Sequence, residues 1–395
     1  MKALTDAQKI EHLLSYQVEE VIVRAELEKK LASGKVLRIK LGADPSRPDL
    51  HLGHAVVLRK LREFQDLGHQ VVFIIGDFTA LIGDPSGKSK TRPMISAEEI
   101  KKNAETYFQQ VGRILDLKKC EIRYNSEWLG KMGAADFISL CAKFTVARIL
   151  ERDDFSKRLQ SHTDIHMHEL LYPMLQAQDS IDLKADVELG ATDQKFNMLA
   201  GRDLARRLGE PEQDCIVSRI LVGTDGVKKM SKSLDNYIGL HDSADEMYGK
   251  TMSIPDAALP NWLDLAADFS PEEINAENAK LMKGENPRDV KARLAGRIVA
   301  LYHGAEAAKS AAENFVARFK NKEIPDDMPV LKAAGRPLAE VVAEAFAVSK
   351  TEARRLIEQN GVKVDGIVAA DPLVKVAEGS VIQKGKRGFV RVEAK

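Results

Sequence analysis

The sequence predicts an α/β protein in which a parallel sheet is followed by a helical domain and a small α+β domain. Three observations lead to this prediction. Short apolar runs alternate with amphipathic helical patterns up to about residue 225, which is typical of a parallel sheet with helices on both faces. Helical spacing alone then continues over residues 246–325. After a linker with two prolines, a helix–turn–strand pattern completes the chain.

The first domain is predicted from its strands and the helices between them. The strand candidates are the short apolar runs 36–43, 70–76, 121–124 and 215–222. The helix candidates begin with the segment that follows His51 and continue with 97–115, 134–151, 164–178 and 193–208. In such a sheet, ligands bind at the carboxyl ends of the strands, where the strand order reverses.

Composition indicates a protein of two or three domains with sizeable cores, because the 395 residues are 44% hydrophobic and 30% charged. Lys and Arg number 59, as do Asp and Glu, so net charge gives no global signal for nucleic acid. From Lys332 onward, however, 12 Lys and Arg stand against 8 Asp and Glu. A nucleic-acid partner would therefore meet local basic patches.

Cysteine usage and hydropathy exclude several classes of protein. Cys120, Cys141 and Cys215 are odd in number and far apart, so they fit neither a disulfide framework nor a zinc-ligand spacing. No apolar stretch reaches membrane length, and the N-terminus lacks a signal-peptide pattern. We therefore expect a cytoplasmic protein without a membrane partner.

Two histidines open the predicted helix that follows the first strand. A turn over residues 44–49 ends that strand, and His51-Leu52-Gly53-His54 begins the helix. Backbone N–H groups at a helix N-terminus favour phosphate, and Gly53 leaves room for a nucleotide. From the residues alone, two solvated histidines at a helix start remain an alternative.

A second short segment lies in a predicted loop. Lys229-Met230-Ser231-Lys232-Ser233 follows a predicted turn that contains Gly223 and Gly226. Two lysines and two serines on a mobile loop can close over a triphosphate and supply positive charge as the transition state forms. The alternative is a solvated basic loop.

Two other patterns do not support the sites they suggest. Residues 83–89 (GDPSGKS) look like a phosphate loop but have three residues between the glycines where four are needed. Asp84 and Lys88 are still expected near the pocket, because they shortly follow a strand. His162 and His166 would share a helix face, but no third ligand is obvious locally. We therefore expect no tightly bound metal.

In this order, and separated by alternating strand and helix patterns, the two short segments resemble the paired signatures of class I aminoacyl-tRNA synthetases. The resemblance implies a Rossmann-like catalytic domain in which an amino-acid carboxylate attacks the α-phosphate of ATP, with Mg²⁺ accompanying the nucleotide. It assigns catalysis to His51, His54, Lys229 and Lys232. It implies ATP contacts from a larger set: Asp44, Ser46, His51, Gly53, His54, Lys88, Lys229, Met230, Ser231, Lys232 and Ser233.

Three further segments, 83–88, 171–179 (LYPMLQAQD) and 190–194 (GATDQ), resemble the amino-acid pocket of the tyrosyl-tRNA synthetase family. The resemblance implies ammonium contacts from Tyr172, Gln176 and Asp84, a phenol contact from Asp179, and ribose and carboxylate contacts from Asp193 and Gln194. Spacing supports part of this set independently. Residues 172, 176 and 179 follow i, i+4, i+7, which places them on one helix face. A helix at a polar domain interface is the alternative.

The chain departs from the commoner family pattern at two positions. Residues 40–45 read KLGADP where many tyrosyl enzymes have YCGFDP, so Lys40 replaces a phenol-contacting tyrosine, as in one bacterial branch. Gln178 stands where a tyrosine is frequent. Lys40 is kept as a tyrosine-binding candidate, and phenol recognition is expected to depend more on Asp179.

The resemblance covers nearly the whole chain and divides it into domains. It implies a catalytic domain over 1–225, with an insertion at about 91–159 that makes a homodimer interface in the family. A signature loop and linker over 226–245 and a helical anticodon-binding domain over 246–325 follow; a plain helical bundle has the same periodicity as the latter. Residues 336–395 resemble the RNA-binding domain of the small-subunit ribosomal protein S-four type.

The last domain has its own local signals. Ser349 to Glu352 form a predicted capping box, Gly361 a helix stop, and Asp365-Gly366 a hairpin turn. The basic residues expected to contact RNA phosphates are Lys350, Arg354, Arg355, Lys384, Lys386 and Arg387. A solvated charged surface is the alternative.

The expected function is ligation of L-tyrosine to tRNA(Tyr) with ATP, by a homodimer. One alternative is a tryptophanyl-tRNA synthetase, against which Asp179 and the basic C-terminal domain argue. The other is a non-catalytic RNA-binding protein, against which the two intact phosphate signatures argue.

Overall fold

A computed structural model describes residues 2–86, 95–320, 328–385 and 388–394. The chain forms two compact units, residues 1–311 and 312–395. The division falls within one helix, Ala305–Lys320.

A six-stranded mixed sheet forms the centre of the first unit. Its strands are β1 (Val18–Ile22), β2 (Arg38–Ala43), β3 (Gln70–Ile75), β4 (Cys120–Tyr124), β5 (Val187–Ala191) and β6 (Asp214–Ser218). The order across the sheet is β1-β6-β5-β2-β3-β4, with β1 antiparallel and all other neighbours parallel. From β2 the chain proceeds outward through β3 and β4, and it returns on the other side of β2 with β5. The switch point of the sheet therefore lies between β2 and β5.

The sequence predicted four of these strands and missed two. β1 lies at the edge and carries two exposed glutamates, so its apolar signal is weak. β5 is buried but is interrupted by Glu188 and Gly190. The predicted parallel sheet is confirmed for β2 to β6, and the edge strand β1 joins it in the antiparallel sense.

Helices cover the sheet and form the rest of the first unit. In chain order they are α1 (Ala7–Ser15), α2 (Arg24–Ala32), α3 (Leu52–Asp66), α4 (Ala97–Val111), α5 (Ser126–Leu129), α6 (Ala134–Cys141), α7 (Val146–Leu150), α8 (Asp153–Gln160), α9 (Met167–Asp182), α10 (Lys195–Leu208), α11 (Ala244–Met252), α12 (Leu259–Leu265), α13 (Pro271–Met282), α14 (Pro287–His303) and α15 (Ala305–Lys320).

One segment that was predicted as a single helix forms two helices in the structure. The segment 134–151 was expected to be continuous, but α6 ends at Cys141 and α7 begins at Val146. The hydroxyl of Thr145 accepts a hydrogen bond from the backbone N–H of Arg148 and so caps the new helix. A local cap therefore breaks a pattern that periodicity alone reads as one helix.

Helix α9 begins at Met167, three residues after the predicted start, and accommodates Pro173 in its interior. Its apolar face packs on α10, with Leu175 and Ala177 buried against Leu204. This packing leaves the polar face of α9 directed at the switch point of the sheet.

The second unit has a five-stranded sheet and two helices. Its elements are β7 (Val330–Lys332), α16 (Leu338–Ala345), α17 (Lys350–Glu358), β8 (Val362–Val364), β9 (Ile367–Val368), β10 (Val381–Lys384) and β11 (Gly388–Glu393). The strand order is β7-β11-β10-β8-β9, with β7 and β11 parallel and the other pairs antiparallel. A separate apolar core includes Leu338, Val342, Ile357 and Ile382.

The predicted hairpin turn of this unit is confirmed. Asp365 and Gly366 join β8 to β9 and have φ angles of 51° and 80°, as a tight two-residue hairpin requires. The helix stop was placed one residue too late, because Asn360 and not Gly361 takes the left-handed conformation. Only half of the predicted capping box forms: Ser349 accepts from the N–H of Glu352, whose carboxylate accepts from Arg355 instead.

Candidate active site

A cavity of about 880 Å³ opens at the carboxyl edge of the sheet, beside the switch point between β2 and β5. The described residues predicted to contact ATP or the amino acid all line it: Lys40, Asp44, Ser46, His51, Gly53, His54, Asp84, Tyr172, Gln176, Asp179, Asp193, Gln194, Lys229, Met230, Ser231, Lys232 and Ser233. Lys88 lies outside the described residues. The two phosphate signatures and the predicted amino-acid face thus share one cavity.

The histidine signature stands where α3 begins. His51 is the extended N-cap residue, and its backbone N–H donates to Nδ1 of His54 at 3.2 Å. Because a neutral imidazole has one donor and one acceptor, this bond leaves Nε2 of His54 as the donor. The two rings are tilted by 37° with centroids 3.8 Å apart, and a Cβ on Gly53 would lie 3.0 Å from the His51 ring. A larger residue at 53 would therefore crowd the His51 ring.

Both histidines are neutral at pH 7. Burial, followed by the charges of Lys232 and Lys229, lowers the pKa of His54 to about 3. Burial also holds the pKa of His51 well below its usual value, and His54 and the two lysines act in the same direction. Neutral imidazoles beside two ammonium groups can donate hydrogen bonds to phosphate without adding charge repulsion.

The lysine signature lies in a turn that is stabilised by its own hydrogen bonds. Met230 N–H donates to the carbonyl of Leu221, and the side chain of Asn236 joins the backbone of Ser231, the carbonyl of Lys229 and the carboxylate of Asp225. A Cβ on Gly223 would lie 2.2 Å from the Asn236 amide. The turn therefore needs glycine at 223, which the sequence indicated only as a break.

The two lysines of this turn face different parts of the cavity wall. Lys229 Nζ pairs with Oδ2 of Asp193 at 2.6 Å. Lys232 Nζ donates to the carbonyl of Arg47 at 3.2 Å and lies 5.4 Å from the centre of the Tyr107 ring. Burial lowers the pKa of Lys232 to about 8, so it remains mostly protonated at pH 7. Its positive charge is partly desolvated before any ligand binds.

Tyr172 is hydrogen-bonded to Asp44, a residue that the resemblance placed among the ATP contacts. Its hydroxyl donates to Oδ2 of Asp44 at 3.0 Å, and Thr79 donates to Oδ1 of Asp44 at 2.8 Å. A Cβ on Gly76 would lie 2.1 Å from that carboxylate. The close approach of β3 to the end of β2 thus fixes Asp44 between Thr79 and Tyr172.

Asp84 belongs to a second polar group of the wall. Its Oδ2 accepts from the Gln194 amide at 2.7 Å, and its Oδ1 accepts from the hydroxyl of Ser86 at 2.6 Å. Arg152 reaches the same group, with Nη2 donating to Ser86 at 2.5 Å and to Asp84 at 3.3 Å. No sequence pattern indicated Arg152, because it follows a short helix far along the chain from Asp84.

Asp179 is buried at the inner end of the cavity. Its carboxylate accepts from Trp128 Nε1 at 2.9 Å and from Asn125 Nδ2 at 3.3 Å. The sequence analysis did not identify these two partners. Asn125 follows directly on β4, so the rule that ligands gather at carboxyl ends of strands would have found it, whereas Trp128 carries no such signal.

Burial raises the pKa of Asp179 to about 7, although nearby Lys40 and the bonds from Trp128 and Asn125 favour the ionised form. An unfolded chain loses this proton near pH 4. The native state therefore keeps it to higher pH, and the stability that Asp179 contributes falls as pH rises from about 4 to about 7.

The raised pKa of Asp179 leads to a testable pH dependence of stability. We expect the free energy of unfolding of wild type to fall relative to that of Asp179→Asn between about pH 5 and about pH 8. Denaturant unfolding at both pH values measures the difference. Asp153→Asn, which removes an exposed carboxylate on α8, is the control. A difference that does not change with pH would contradict the raised pKa.

Lys40 lines the cavity wall, and its ammonium is hydrogen-bonded to buried groups on α9 and β5. Nζ lies 2.8 Å from Oε1 of Glu188 and 2.7 Å from the hydroxyl of Ser180, and all three groups are buried. A lysine in place of the family's tyrosine is thus matched by a carboxylate on the neighbouring strand.

The basic residues of the second unit occupy its surface. Lys350 pairs with Glu340 at 2.8 Å, Arg355 pairs with Glu352 at 2.7 Å, and Arg354 is exposed. Lys384 lies 4.9 Å from the centre of the Phe346 ring. Lys386 and Arg387 lie outside the described residues. The geometry therefore leaves phosphate contact by this surface as a prediction.

The described residues contain neither a metal-binding cluster nor a membrane-spanning helix. Within those ranges, no group of three or more His, Cys, Asp or Glu side chains is arranged to hold a metal ion. In the same part of the chain, no helix has both the length and the apolar character needed to cross a bilayer.

Comparison with known proteins agrees with the fold and shows the family. The family model described as tRNA synthetases class I (W and Y) matches residues 32–320, and that of the S4 domain matches residues 336–382. Fold and site together define a class I aminoacyl-tRNA synthetase.

The chain belongs, within that class, to the tyrosine–tRNA ligase family. It is 50% identical over 381 residues to the tyrosine–tRNA ligase of Idiomarina loihiensis, with 95% of each chain covered. It is 51% identical over 381 residues to that of Moorella thermoacetica, covering 95% of this chain and 92% of the relative. The C-terminally truncated mitochondrial tyrosyl-tRNA synthetase of Aspergillus nidulans shares the fold, with a TM-score of 0.64 and 21% identity over 79% of this chain and 94% of that one.

Proposed function

We propose that this protein activates L-tyrosine with MgATP and transfers the tyrosyl group to tRNA(Tyr). The observation that carries the proposal is the shared cavity, in which both phosphate signatures and the polar face of α9 converge. The tyrosine carboxylate attacks the α-phosphate in line, and the bond to the pyrophosphate oxygen breaks. Tyrosyl-adenylate and pyrophosphate form, and Mg²⁺ brought in with ATP would supply positive charge beside the phosphates.

No protein nucleophile takes part in this step. His51 and His54 donate hydrogen bonds to phosphate oxygens, and Lys229 and Lys232 balance the negative charge that develops on the leaving pyrophosphate. Lys229 Nζ is paired with Asp193 at 2.6 Å. When the ribose enters between them, Lys229 exchanges this partner for the phosphates of the nucleotide. A terminal ribose hydroxyl of tRNA then attacks the tyrosyl carbonyl, and AMP leaves.

The tyrosine–tRNA ligase relatives favour tyrosine over tryptophan, and the amino-acid face is compatible with a phenol. Asp179 is a buried acceptor fixed by two donors, Trp128 and Asn125, and a phenol can donate to it. The proposed ammonium contacts are Tyr172, Gln176 and Asp84. The test is aminoacylation of unfractionated tRNA with labelled tyrosine and, separately, labelled tryptophan. Tyrosine should be incorporated; incorporation of tryptophan alone would refute the assignment.

Loss of the Asp179 carboxylate should narrow the preference for tyrosine over phenylalanine. We expect Asp179→Ala to reduce the ratio of the two kcat/KM values about tenfold, because the phenol loses a charged hydrogen-bond partner while either ring still fits. Asp182→Ala, an exposed carboxylate on the same helix whose partner is Gln178, is the control. An unchanged ratio would move phenol recognition to another group.

We also propose the domain division of the sequence analysis, with the catalytic domain over 1–225 and its insertion at about 91–159, the loop and linker over 226–245, the helical anticodon-binding domain over 246–325 and the RNA-binding domain over 336–395. The compact unit that begins at residue 312 and the S4 match over 336–382 support the last of these. Contact of its basic residues with tRNA phosphates and a cytoplasmic location are part of the same proposal.

A homodimer formed through the insertion is a further part of the proposal. Large apolar side chains are exposed in and just after this segment: Ile138 is 71% exposed, Val146 66% and Met167 77%. Such groups also occur singly on free surfaces, so these three are selected because they lie in or beside the segment that makes the interface in the family.

We therefore expect Ile138→Glu combined with Met167→Glu to convert a dimer into a monomer in sedimentation equilibrium. The charges would have to be buried without partners in the interface. Met282→Glu changes an even more exposed methionine, 90% exposed on α13, and should leave the mass unchanged. A double variant that sediments like wild type would place the interface elsewhere.

A further inference from the structure

A buried ion pair lies beneath the amino-acid end of the cavity. Lys40 on β2 and Glu188 on β5 are register partners on the two strands that flank the switch point. Their charged groups are 2.8 Å apart, and the side chains are only 2% and 3% exposed. Such a pair is costly to desolvate unless further hydrogen bonds satisfy both groups, and those bonds show what the pair holds.

The carboxylate of Glu188 accepts four hydrogen bonds from protein donors. Oε1 accepts from Lys40 and from the Gln176 amide at 3.3 Å, and Oε2 accepts from Ser180 at 2.8 Å and Gln213 at 3.0 Å. A carboxylate has about four acceptor positions, so none remains for a ligand. A Cβ on Gly201 would lie 2.4 Å from the Gln213 amide, so α10 has a glycine where this network passes.

The pair is joined to α9 on both sides of Asp179. Lys40 Nζ donates to the carbonyl of Gln176 at 3.2 Å and to the hydroxyl of Ser180 at 2.7 Å. Because that hydroxyl accepts from Lys40, its single hydrogen is directed to Glu188. Residues 176 and 180 are one helical turn apart, so the network fixes the segment that carries Asp179.

The contact between Gln176 and Glu188 also fixes the direction of an amide. A carboxylate only accepts hydrogen bonds, so it must face the amino group of the Gln176 side chain. The carbonyl oxygen of that amide is then the end presented to the cavity, which Gln176 lines. An ammonium ion, which only donates, requires that orientation.

We propose that Lys40 and Glu188 act as positioning residues that hold the Gln176 amide with its oxygen toward the substrate ammonium. This inference rests on the proposed activation of tyrosine and assigns Lys40 a role beneath the pocket instead of at the phenol. The pair adds no net charge under the site, because the lysine neutralises the carboxylate that orients the amide.

The test compares two inhibitors of tyrosine activation that differ only by an ammonium group, tyramine and 4-ethylphenol. Glu188→Gln keeps the size of the side chain but lets the Gln176 amide reverse. We expect the inhibition constant of tyramine to rise about fivefold to tenfold and that of 4-ethylphenol to change less than about twofold, as loss of one oriented hydrogen bond implies. The KM for ATP should not change.

A matched control removes a different buried carboxylate, which lies on α9. Glu169 pairs with Arg158 at 2.6 Å and is as buried as Glu188, so Glu169→Gln should lower the free energy of unfolding without affecting either inhibitor selectively. Lys40→Met combined with Glu188→Met leaves no unpaired buried charge and should show the same selective loss for tyramine.

Equal weakening of both inhibitors in the Glu188 variants, or no weakening of either, would overturn the inference and leave the pair a purely structural element. Tyrosine-dependent activity of the wild-type protein in the same assay is read first. Its absence would refute the proposed function, whereas its presence with non-selective variants would refute only the positioning role.

Discussion

Lys232→Ala should slow formation of the adenylate by about 10²–10³-fold while changing the affinity for tyrosine by less than about twofold. The ammonium of Lys232 lies beside the carbonyl of Arg47 and is already partly desolvated. Its charge is therefore most effective when negative charge moves onto the leaving pyrophosphate, and least important for a neutral ring at the far end of the cavity.

Single-turnover adenylate formation and equilibrium binding of tyrosine measure the two quantities separately. Lys228→Ala removes an exposed lysine from the same turn and should leave both unchanged. Equal losses in tyrosine affinity and activation rate would show that Lys232 contributes to substrate binding and not to the transition state. No loss in either quantity would show that Lys232 is not a catalytic residue.

Deletion of residues 336–395 should abolish most transfer to tRNA and leave tyrosine activation nearly intact. The deleted segment lies within the second compact unit, which has its own apolar core. It also carries the six basic residues proposed to contact phosphate, and losing about six such contacts should reduce the slope of log affinity against log salt by about five.

The measurements are pyrophosphate exchange, aminoacylation and a salt series of tRNA binding for the full-length and truncated chains. A full-length variant with Arg354 and Arg355 changed to Gln should show a smaller loss of slope in the same direction. Identical salt slopes would show that the basic surface is only solvated. Loss of activation would show that the deleted segment is needed by the catalytic body.

Local signals predicted their elements well, and signals that depend on tertiary partners did not. The Asp365-Gly366 turn is a property of two residues and was confirmed. β5 was missed because Glu188 is polar, and its burial depends on tertiary partners such as Lys40 on the adjacent strand. The break between α6 and α7 depends on one hydroxyl, that of Thr145.

The candidate site shows the same division. The two signatures and the i, i+4, i+7 face of α9 were sufficient to predict residues that now line one cavity. The residues that position these side chains were missed because each is distant in sequence from its partner. Trp128 and Asn125 are hydrogen-bonded to Asp179, and Arg152 is hydrogen-bonded to Asp84. Spacing along one helix cannot indicate such partners, whereas the ends of neighbouring strands can.

The most direct test of the central claim is ATP–pyrophosphate exchange measured with each of the twenty amino acids in turn. The cavity predicts exchange that depends on L-tyrosine, with phenylalanine and tryptophan far behind, and that is lost in Lys232→Ala. Exchange that depends on another amino acid would contradict the assignment of the pocket. No exchange with any amino acid would contradict the claim that the two signatures form an active site.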